Sequence, residues 1–152
     1  MTLHSKIPPA AQVLICAFIA YGLARYFPTY TFPAPFFLAV LSTLAGTIFL
    51  ALALFDFRKH ETTVNPLDVT MVSVLVTDGP YRLTRNPMYV GLALLLLALC
   101  VYLANLLTLL TVPLFVTTMT VSQIRAEEKA LIDQFGDEYR LYLRKVSRWL
   151  LF

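Results

Sequence analysis

The sequence predicts an all-α integral membrane protein with about four transmembrane helices. Hydrophobic residues make up 59% of the 152 residues, charged residues make up 14%, and the mean hydropathy is +0.72. Soluble domains carry about 25% charged residues, so this composition is too apolar for one of them. Three long, nearly uncharged stretches are long enough for helices that need roughly 20 apolar residues per membrane crossing. These observations predict membrane-spanning helices joined by short polar segments.

The first two spans are expected in the N-terminal region, residues 1–60. One runs from about Ala10 to Phe27 and is uncharged until Arg25, which can snorkel to the membrane interface. The preceding residues are only weakly basic and no small-residue cleavage site follows, so we expect a retained helix rather than a signal peptide. The second span runs from about Pro35 to Phe55 without any charge.

A helical hairpin is predicted in the remaining region, residues 61–152. The 39 residues from Asn86 to Ile124 contain no charged side chain, which is too long for one crossing and sufficient for two. Asn105 is the only strongly polar residue near the midpoint, so the turn is placed at Leu103 to Leu106. The ionisable clusters on either side of this hairpin therefore return to one membrane face.

The distribution of lysine and arginine predicts the orientation. These residues precede the first span, separate the second from the third and follow the fourth, and only Arg25 lies on the other side. The positive-inside rule then places both termini and both ionisable clusters in the cytoplasm, in an inner or cytoplasmic membrane. The net charge of +3 follows from this topology, and no basic stripe with interleaved aromatic residues indicates nucleic acid.

An amphipathic cytoplasmic helix is predicted from Ile124 to about Arg144. Its apolar residues recur at spacings of three, four and seven, and they are Ile124, Leu131, Phe135, Tyr139 and Tyr142. Glu128 falls on this apolar face and should meet a cation or hydrogen-bond donors, whereas Glu127 is turned about 100° away and should be solvated. Gly136 and Asp137 are expected to break the helix, with Asp137 capping a second short helix.

The segment between the second and third spans has an apolar portion, residues 64–78, that ends in the turn signal Asp78-Gly79-Pro80. It is either a linker at the membrane surface or a cap over a site, and its length favours the cap. Cys16 and Cys100 lie inside spans without a partner at metal or redox spacing, so we expect packing roles for both and no metal site.

Polar chemistry is concentrated directly before the third span, in the segment GPYRLTRNPMYVG from Gly79 to Gly91. The hairpin returns Arg85 and Glu128 to one face, beside Tyr81 and Tyr89. Each charge taken singly can be explained by snorkelling or by a structural ion pair. Taken together, the group suits a ligand that carries both charges and an aromatic ring.

This segment, the hairpin and the later pattern Glu127-Glu128, Phe135-Gly136, Tyr139 and Tyr142 resemble the isoprenylcysteine carboxyl methyltransferase family. The phospholipid N-methyltransferases are similar over the same region, and the resemblance covers about half of the chain, from Thr62 to Trp149. It implies a membrane-embedded methyltransferase that uses S-adenosylmethionine and a lipophilic or lipid acceptor. The five glycines are not clustered, so a glycine-rich dinucleotide-binding loop is excluded.

The resemblance also assigns roles to individual residues. It implies that Arg85 and Glu128 are catalytic, with Arg85 binding the methionyl carboxylate and Glu128 orienting the cofactor amine or the acceptor, or taking a proton from an amine acceptor. Tyr81 or Tyr89 would face adenine or the sulfonium. The implied cofactor-binding residues are Tyr81, Arg85, Asn86, Pro87, Tyr89, Glu127 and Glu128.

Two departures from the family pattern leave the acceptor open. Asn86 replaces a histidine, which keeps hydrogen bonding and removes acid-base chemistry, and Gln123 stands where the carboxyl methyltransferases have an arginine. Whether Arg125 takes over from that arginine is not decided by the sequence. The alternatives are a phosphatidylethanolamine-type N-methyltransferase, a non-catalytic membrane scaffold or transporter subunit, and a membrane reductase with a nicotinamide cofactor. The sequence does not give the oligomeric state.

Overall fold

The computed structural model describes residues 7–33, 36–59 and 74–150. These residues are all-α, as predicted. The helices are α1 (Pro9–Tyr26), α2 (Phe36–Lys59), α3 (Pro87–Leu103), α4 (Thr111–Met119), α5 (Arg125–Phe135) and α6 (Asp137–Lys145). A short 3-10 helix, Leu106–Leu110, precedes α4, and a π-helical turn, Thr120–Ile124, joins α4 to α5. Most of the predicted cap, residues 64–73, lies outside the described residues.

Within the described residues, three helical stretches are long and apolar enough to cross a membrane, and they are Pro9–Tyr26, Phe36–Asp56 and Leu106–Phe135. Helix α3 is a shorter apolar helix of 17 residues, at the lower end of the length that a crossing requires. Large apolar side chains on α1 and α2 point outward, including Phe18 at 76% exposure. Such surfaces suit lipid rather than water. The protein is therefore an integral membrane protein with the predicted hairpin in its C-terminal half.

Helices α2 and α3 approach each other closely through two glycines. A Cβ atom added to Gly46 would lie 2.9 Å from the carbonyl oxygen of Gly91, and one added to Gly91 would lie 2.9 Å from that of Gly46. Small residues at such crossings let the backbones of membrane helices pack directly. At the same side of the protein as the start of α3, Gly79 packs against the Asp56 carboxylate with a φ of 55°, a conformation that favours glycine.

The turn between α3 and α4 lies where the sequence predicted it. Ala104 has a left-handed φ of 51°, and the next residue, Asn105, is 1% exposed. The Asn105 Nδ2 donates to the Phe27 carbonyl oxygen at 2.8 Å, and its Oδ1 accepts from the Leu107 amide at 2.9 Å. A buried amide must be satisfied in this way, so Asn105 ties the turn of the hairpin to the end of α1.

The π turn sets the direction in which α5 presents its side chains. Phe115, Met119 and Ile124 are each 0% exposed and are separated by four and then five residues. In an uninterrupted α-helix of about 100° per residue, the nine residues from Met119 to Glu128 would place these two on opposite faces. The π turn absorbs one residue. Glu128 therefore lies about 80° around the helix from Met119 instead of on the opposite face, and its side chain is only 12% exposed.

Helix α5 ends at Phe135, Gly136 follows with a φ of 55°, and α6 begins with Asp137. The predicted break between the two helices is confirmed, but the prediction that the Asp137 side chain caps α6 is wrong. Gly136 occupies the N-cap position, no side chain caps α6 there, and the exposed Asp137 carboxylate pairs with Arg140 at 3.2 Å instead. Tyr139 and Tyr142, predicted on the apolar face, are 3% and 8% exposed.

Candidate active site

The predicted site residues meet where the start of α3, the start of α5 and the chain after α6 come together. Arg85 and Asn86 directly precede α3, and Pro87 is its first residue. Proline is favoured there because its missing N–H would have no partner in the first helical turn. The predicted position of Pro87 is confirmed.

Arg85 and Glu128 form an ion pair across the hairpin. The Arg85 Nη1 lies 3.2 Å from the Glu128 Oε1, and the side chains are only 11% and 12% exposed. The predicted partner for the inward-facing Glu128 is thus a cation. The Arg85 Nε is buried and has no hydrogen-bond partner within residues 7–33, 36–59 and 74–150. A donor in that position is available to an anionic group.

A second arginine, Arg148, binds the same carboxylate and was missed from the sequence. Its Nε donates to the Glu128 Oε1 at 2.9 Å and its Nη2 donates to Oε2 at 2.6 Å, so both carboxylate oxygens are engaged. The hydrogen bonds to Glu128 are the main reason why the pKa of Arg148 is raised. From the sequence, Arg148 counted only as one of the positive charges that set the orientation.

The backbone of the C-terminal segment, Val146 to Trp149, is hydrogen-bonded to the residues before α3. The Arg85 amide donates to the Ser147 carbonyl at 2.9 Å. The Thr84 hydroxyl and the Asn86 Nδ2 both donate to the Arg148 carbonyl, at 2.8 and 3.0 Å. Asn86 thus keeps the hydrogen-bonding capacity that was expected of it, and in this structure it directs that capacity to the C-terminal segment.

The prediction that Glu127 is solvated is wrong. The Tyr89 hydroxyl donates to its Oε1 at 2.6 Å, and the Gln123 Nε2 donates to the same oxygen at 2.8 Å. The prediction assumed a single apolar stripe on α5. Helix α5 is flanked by the start of α3 and by the C-terminal segment, so its buried arc is wide enough for two carboxylates about 100° apart.

The structure gives different surroundings to Gln123 and Arg125, the two residues involved in the second departure from the family pattern. Gln123 is 3% exposed and faces Glu127, whereas Arg125 is exposed. Arg125 therefore does not share the buried position of Gln123. The second cation of the site comes from Arg148, which pairs with Glu128 rather than with Glu127.

Buried tyrosines lie near the ion pairs. Tyr81 is 7% exposed, and its carbonyl oxygen accepts a hydrogen bond of 2.6 Å from the Tyr142 hydroxyl. The rings of Tyr139 and Tyr142 lie 5.9 Å apart. Burial raises the pKa of both phenols, with Glu128 adding to the effect at Tyr139 and Arg85 opposing it at both. The two hydroxyls therefore remain neutral donors at physiological pH.

Comparison with known proteins agrees with this geometry. A family model described as phospholipid methyltransferase matches residues 34–138. An uncharacterized protein of Haemophilus influenzae is 48% identical over 63 residues, which are 41% of this chain and 100% of that protein. The protein-S-isoprenylcysteine O-methyltransferase of Schizosaccharomyces pombe is 37% identical over 73 residues, which are 48% of this chain. That alignment covers only 31% of the yeast enzyme, and no solved structure matches the chain.

These matches confirm the resemblance that the motifs suggested. The family model extends over more than half of the chain and takes in α2, α3, α4 and α5, with both halves of the Arg85–Glu128 pair. The chain therefore belongs to the phospholipid methyltransferase family.

Proposed function

We propose that this protein is an S-adenosylmethionine-dependent methyltransferase that methylates a carboxyl group on a lipophilic acceptor, as isoprenylcysteine carboxyl methyltransferases do. The observation that carries the proposal is the pairing of Arg85 with Glu128 at 3.2 Å, at the head of a membrane hairpin. The Tyr89–Glu127 hydrogen bond of 2.6 Å lies beside it. Opposite charges and aromatic rings are thus gathered where a soluble cofactor and a lipid can both arrive.

The charges of this site fit the amino-acid part of S-adenosylmethionine, which carries one carboxylate and one ammonium group. Arg85 offers a buried Nε without a partner in the described part of the chain, and this donor suits the carboxylate. Glu128 offers an anion for the ammonium group. The rings of Tyr81 and Tyr89, which are 7% exposed each, are the aromatic surfaces nearest in sequence to Arg85, and they suit adenine or a sulfonium.

When bound, S-adenosylmethionine supplies a methyl group on a positively charged sulfur, which makes it an already activated donor. The task left to the protein is to align the reacting groups and to exclude water. The Arg85–Glu128 pair is set at the end of two packed helices, and the C-terminal segment covers it. An acceptor carboxylate is a nucleophile at neutral pH, so this reaction requires no base from the chain.

The family match favours a second candidate, the N-methylation of a phospholipid amine. An ammonium acceptor must lose a proton before or during transfer. Both oxygens of the Glu128 carboxylate are already engaged by Arg148, and Arg85 contacts Oε1 as well. Glu127 is partly buried and its donors, Tyr89 and Gln123, are neutral. Under this alternative, we assign proton removal to Glu127.

The two candidates are separated by the chemistry of the product. The detergent-purified protein is incubated with methyl-labelled S-adenosylmethionine and either a prenylated cysteine with a free carboxyl group or phosphatidylethanolamine. A methyl ester releases labelled methanol in alkali, whereas an N-methyl group is stable there. Release from the prenylcysteine product supports the first candidate, and alkali-stable label in the phospholipid supports the second. If neither acceptor is labelled and S-adenosylmethionine does not bind, both candidates fail and a scaffold remains; binding of a nicotinamide cofactor would indicate a reductase.

We also propose that the site and both termini face the cytoplasm, on the basis of the positive-inside distribution. The test uses single cysteines at exposed positions, Arg144→Cys on α6 and Tyr30→Cys between α1 and α2. A membrane-impermeant maleimide should label Tyr30→Cys in cells whose inner membrane is intact, and Arg144→Cys only after permeabilisation. The reverse pattern would invert the topology. The native Cys16 and Cys100 are buried and should give little background.

A further inference from the structure

Two arginines, Arg148 and Arg85, contact the single carboxylate of Glu128. Arg148 engages both of its oxygens, at 2.9 and 2.6 Å, and Arg85 adds a third contact at 3.2 Å. A third cation brought to this carboxylate would meet two guanidinium groups of like charge, which disfavours its binding. The ammonium group of a ligand can therefore form a full ion pair with Glu128 only if one of the two arginines moves away from the carboxylate.

The structure indicates which arginine can withdraw. The Arg148 side chain is 31% exposed, against 11% for Arg85, so the Arg148 guanidinium can exchange its carboxylate partner for water at lower cost. Arg85 lies two residues before the start of α3, and its amide donates a hydrogen bond to the C-terminal segment. Its side chain is largely shielded from water, so its guanidinium would leave Glu128 without gaining solvent in exchange.

The backbone at position 148 is anchored independently of its side chain. The carbonyl oxygen of Arg148 accepts hydrogen bonds from Thr84 and Asn86. The next residue, Trp149, is 5% exposed and donates its Nε1 to the Thr120 hydroxyl in the π turn at 3.1 Å. The Arg148 side chain can therefore swing away from Glu128 while the chain that carries it stays in place.

We infer that Arg148 competes with the ammonium group of the methyl donor for Glu128 and thereby sets the affinity for the donor. The inference rests on the proposed function, because it takes the ammonium of an S-adenosyl amino acid as the ligand group. Arg148 is a positioning residue here: it holds Glu128 in place and yields it to the ligand. Arg85 keeps its contact with Glu128 throughout.

The first arm of the test measures equilibrium binding of two probes to the purified full-length protein. S-adenosylhomocysteine carries the ammonium group, whereas 5′-methylthioadenosine lacks the whole amino-acid part. Arg148→Gln should bind S-adenosylhomocysteine about tenfold more tightly than the unchanged protein, with equal affinity for 5′-methylthioadenosine. Arg144→Gln, at an exposed position on α6, is the matched control and should change neither. Weaker or unchanged binding of S-adenosylhomocysteine by Arg148→Gln would overturn the inference.

The second arm needs no adenosyl ligand. Glu128 is coupled to glycine ethyl ester with a water-soluble carbodiimide, and its labelling rate is followed by mass spectrometry. The rate should rise several-fold in Arg148→Gln and not in Arg144→Gln, because the bidentate cover of the carboxylate is gone. The emission of Trp149, the only tryptophan in the chain, should not shift in either variant, which verifies that the C-terminal segment is still docked.

The two arms of the test distinguish a failure of the proposed function from a failure of the inference about Arg148. If no protein binds S-adenosylhomocysteine but labelling rises in Arg148→Gln, the proposed function fails while Arg148 still covers a cation-binding carboxylate. If S-adenosylhomocysteine binds and neither its affinity nor the labelling rate depends on Arg148, the proposed function stands and the competition is refuted.

Discussion

The π turn between α4 and α5 makes an unusual prediction, that removing a residue is milder than adding one. Met119 and Glu128 are nine residues apart, and they avoid opposite faces of the helix only because the π turn, Thr120–Ile124, absorbs a residue. Deleting the exposed Val121 leaves eight residues, which a regular α-helix turns through about 80° beyond two full turns. Inserting an alanine after Val121 instead rotates Glu128 by about 100° away from its partners.

The expected costs follow from the contacts at risk. The deletion moves Ser122, whose hydroxyl hydrogen-bonds the Gln12 side chain at 3.2 Å, and a lost hydrogen bond of this kind costs about 1 kcal/mol. The insertion separates Glu128 from Arg85 and Arg148, and breaking a largely buried ion pair costs about 3 kcal/mol or more. The variants should therefore differ by at least about 2 kcal/mol, or roughly 4–8 °C in thermal midpoint.

The assay is thermal unfolding of both variants in the same detergent, followed by Trp149 emission, with S-adenosylhomocysteine binding measured below the midpoint. The deletion variant should retain binding and the insertion variant should lose it. If the deletion is as damaging as the insertion, the π turn acts through its own side chains rather than through the helical register, and the register does not explain the position of Glu128.

Three further substitutions test the packing and the charges, each by thermal unfolding in detergent. Gly91→Ala should destabilise by about 1–3 kcal/mol because its Cβ would meet the α2 backbone, whereas Gly22→Ala, with no neighbour within 4 Å, should be neutral or slightly stabilising; equal effects would contradict the close crossing. Asn105→Ala should cost about 2 kcal/mol, since two backbone groups lose their buried partner, and a neutral result would show that water replaces the amide. Glu128→Gln should lower the free energy of unfolding by about 3 kcal/mol because two arginines are left without their carboxylate. The control Asp133→Asn, at an exposed position, should change it by no more than about 0.5 kcal/mol. Comparable losses in the two variants would mean that Glu128 is not the shared counter-ion of the arginines.

The lengths of the uncharged runs by themselves determined much of the architecture. A membrane has a fixed thickness and a helix a fixed rise, so the run from Asn86 to Ile124 required a hairpin, and Asn105 marked its turn. A hairpin returns its ends to one side, which predicted that Arg85 and Glu128 meet, and the two side chains lie 3.2 Å apart. The family motif includes those same two residues.

The tertiary structure decided which side chains complete the site. Periodicity placed Glu127 in water because it assumes one buried stripe on each helix, yet α5 packs against α3 and the C-terminal segment at once. Arg148 was indistinguishable from the other C-terminal cations until the fold brought it within 2.6 Å of Glu128. A sequence pattern gives the angles between side chains of one helix on the assumption of a constant number of residues per turn. The partners of a charged side chain lie on elements that are distant in sequence, and the π turn changes the angle at which α5 presents its side chains.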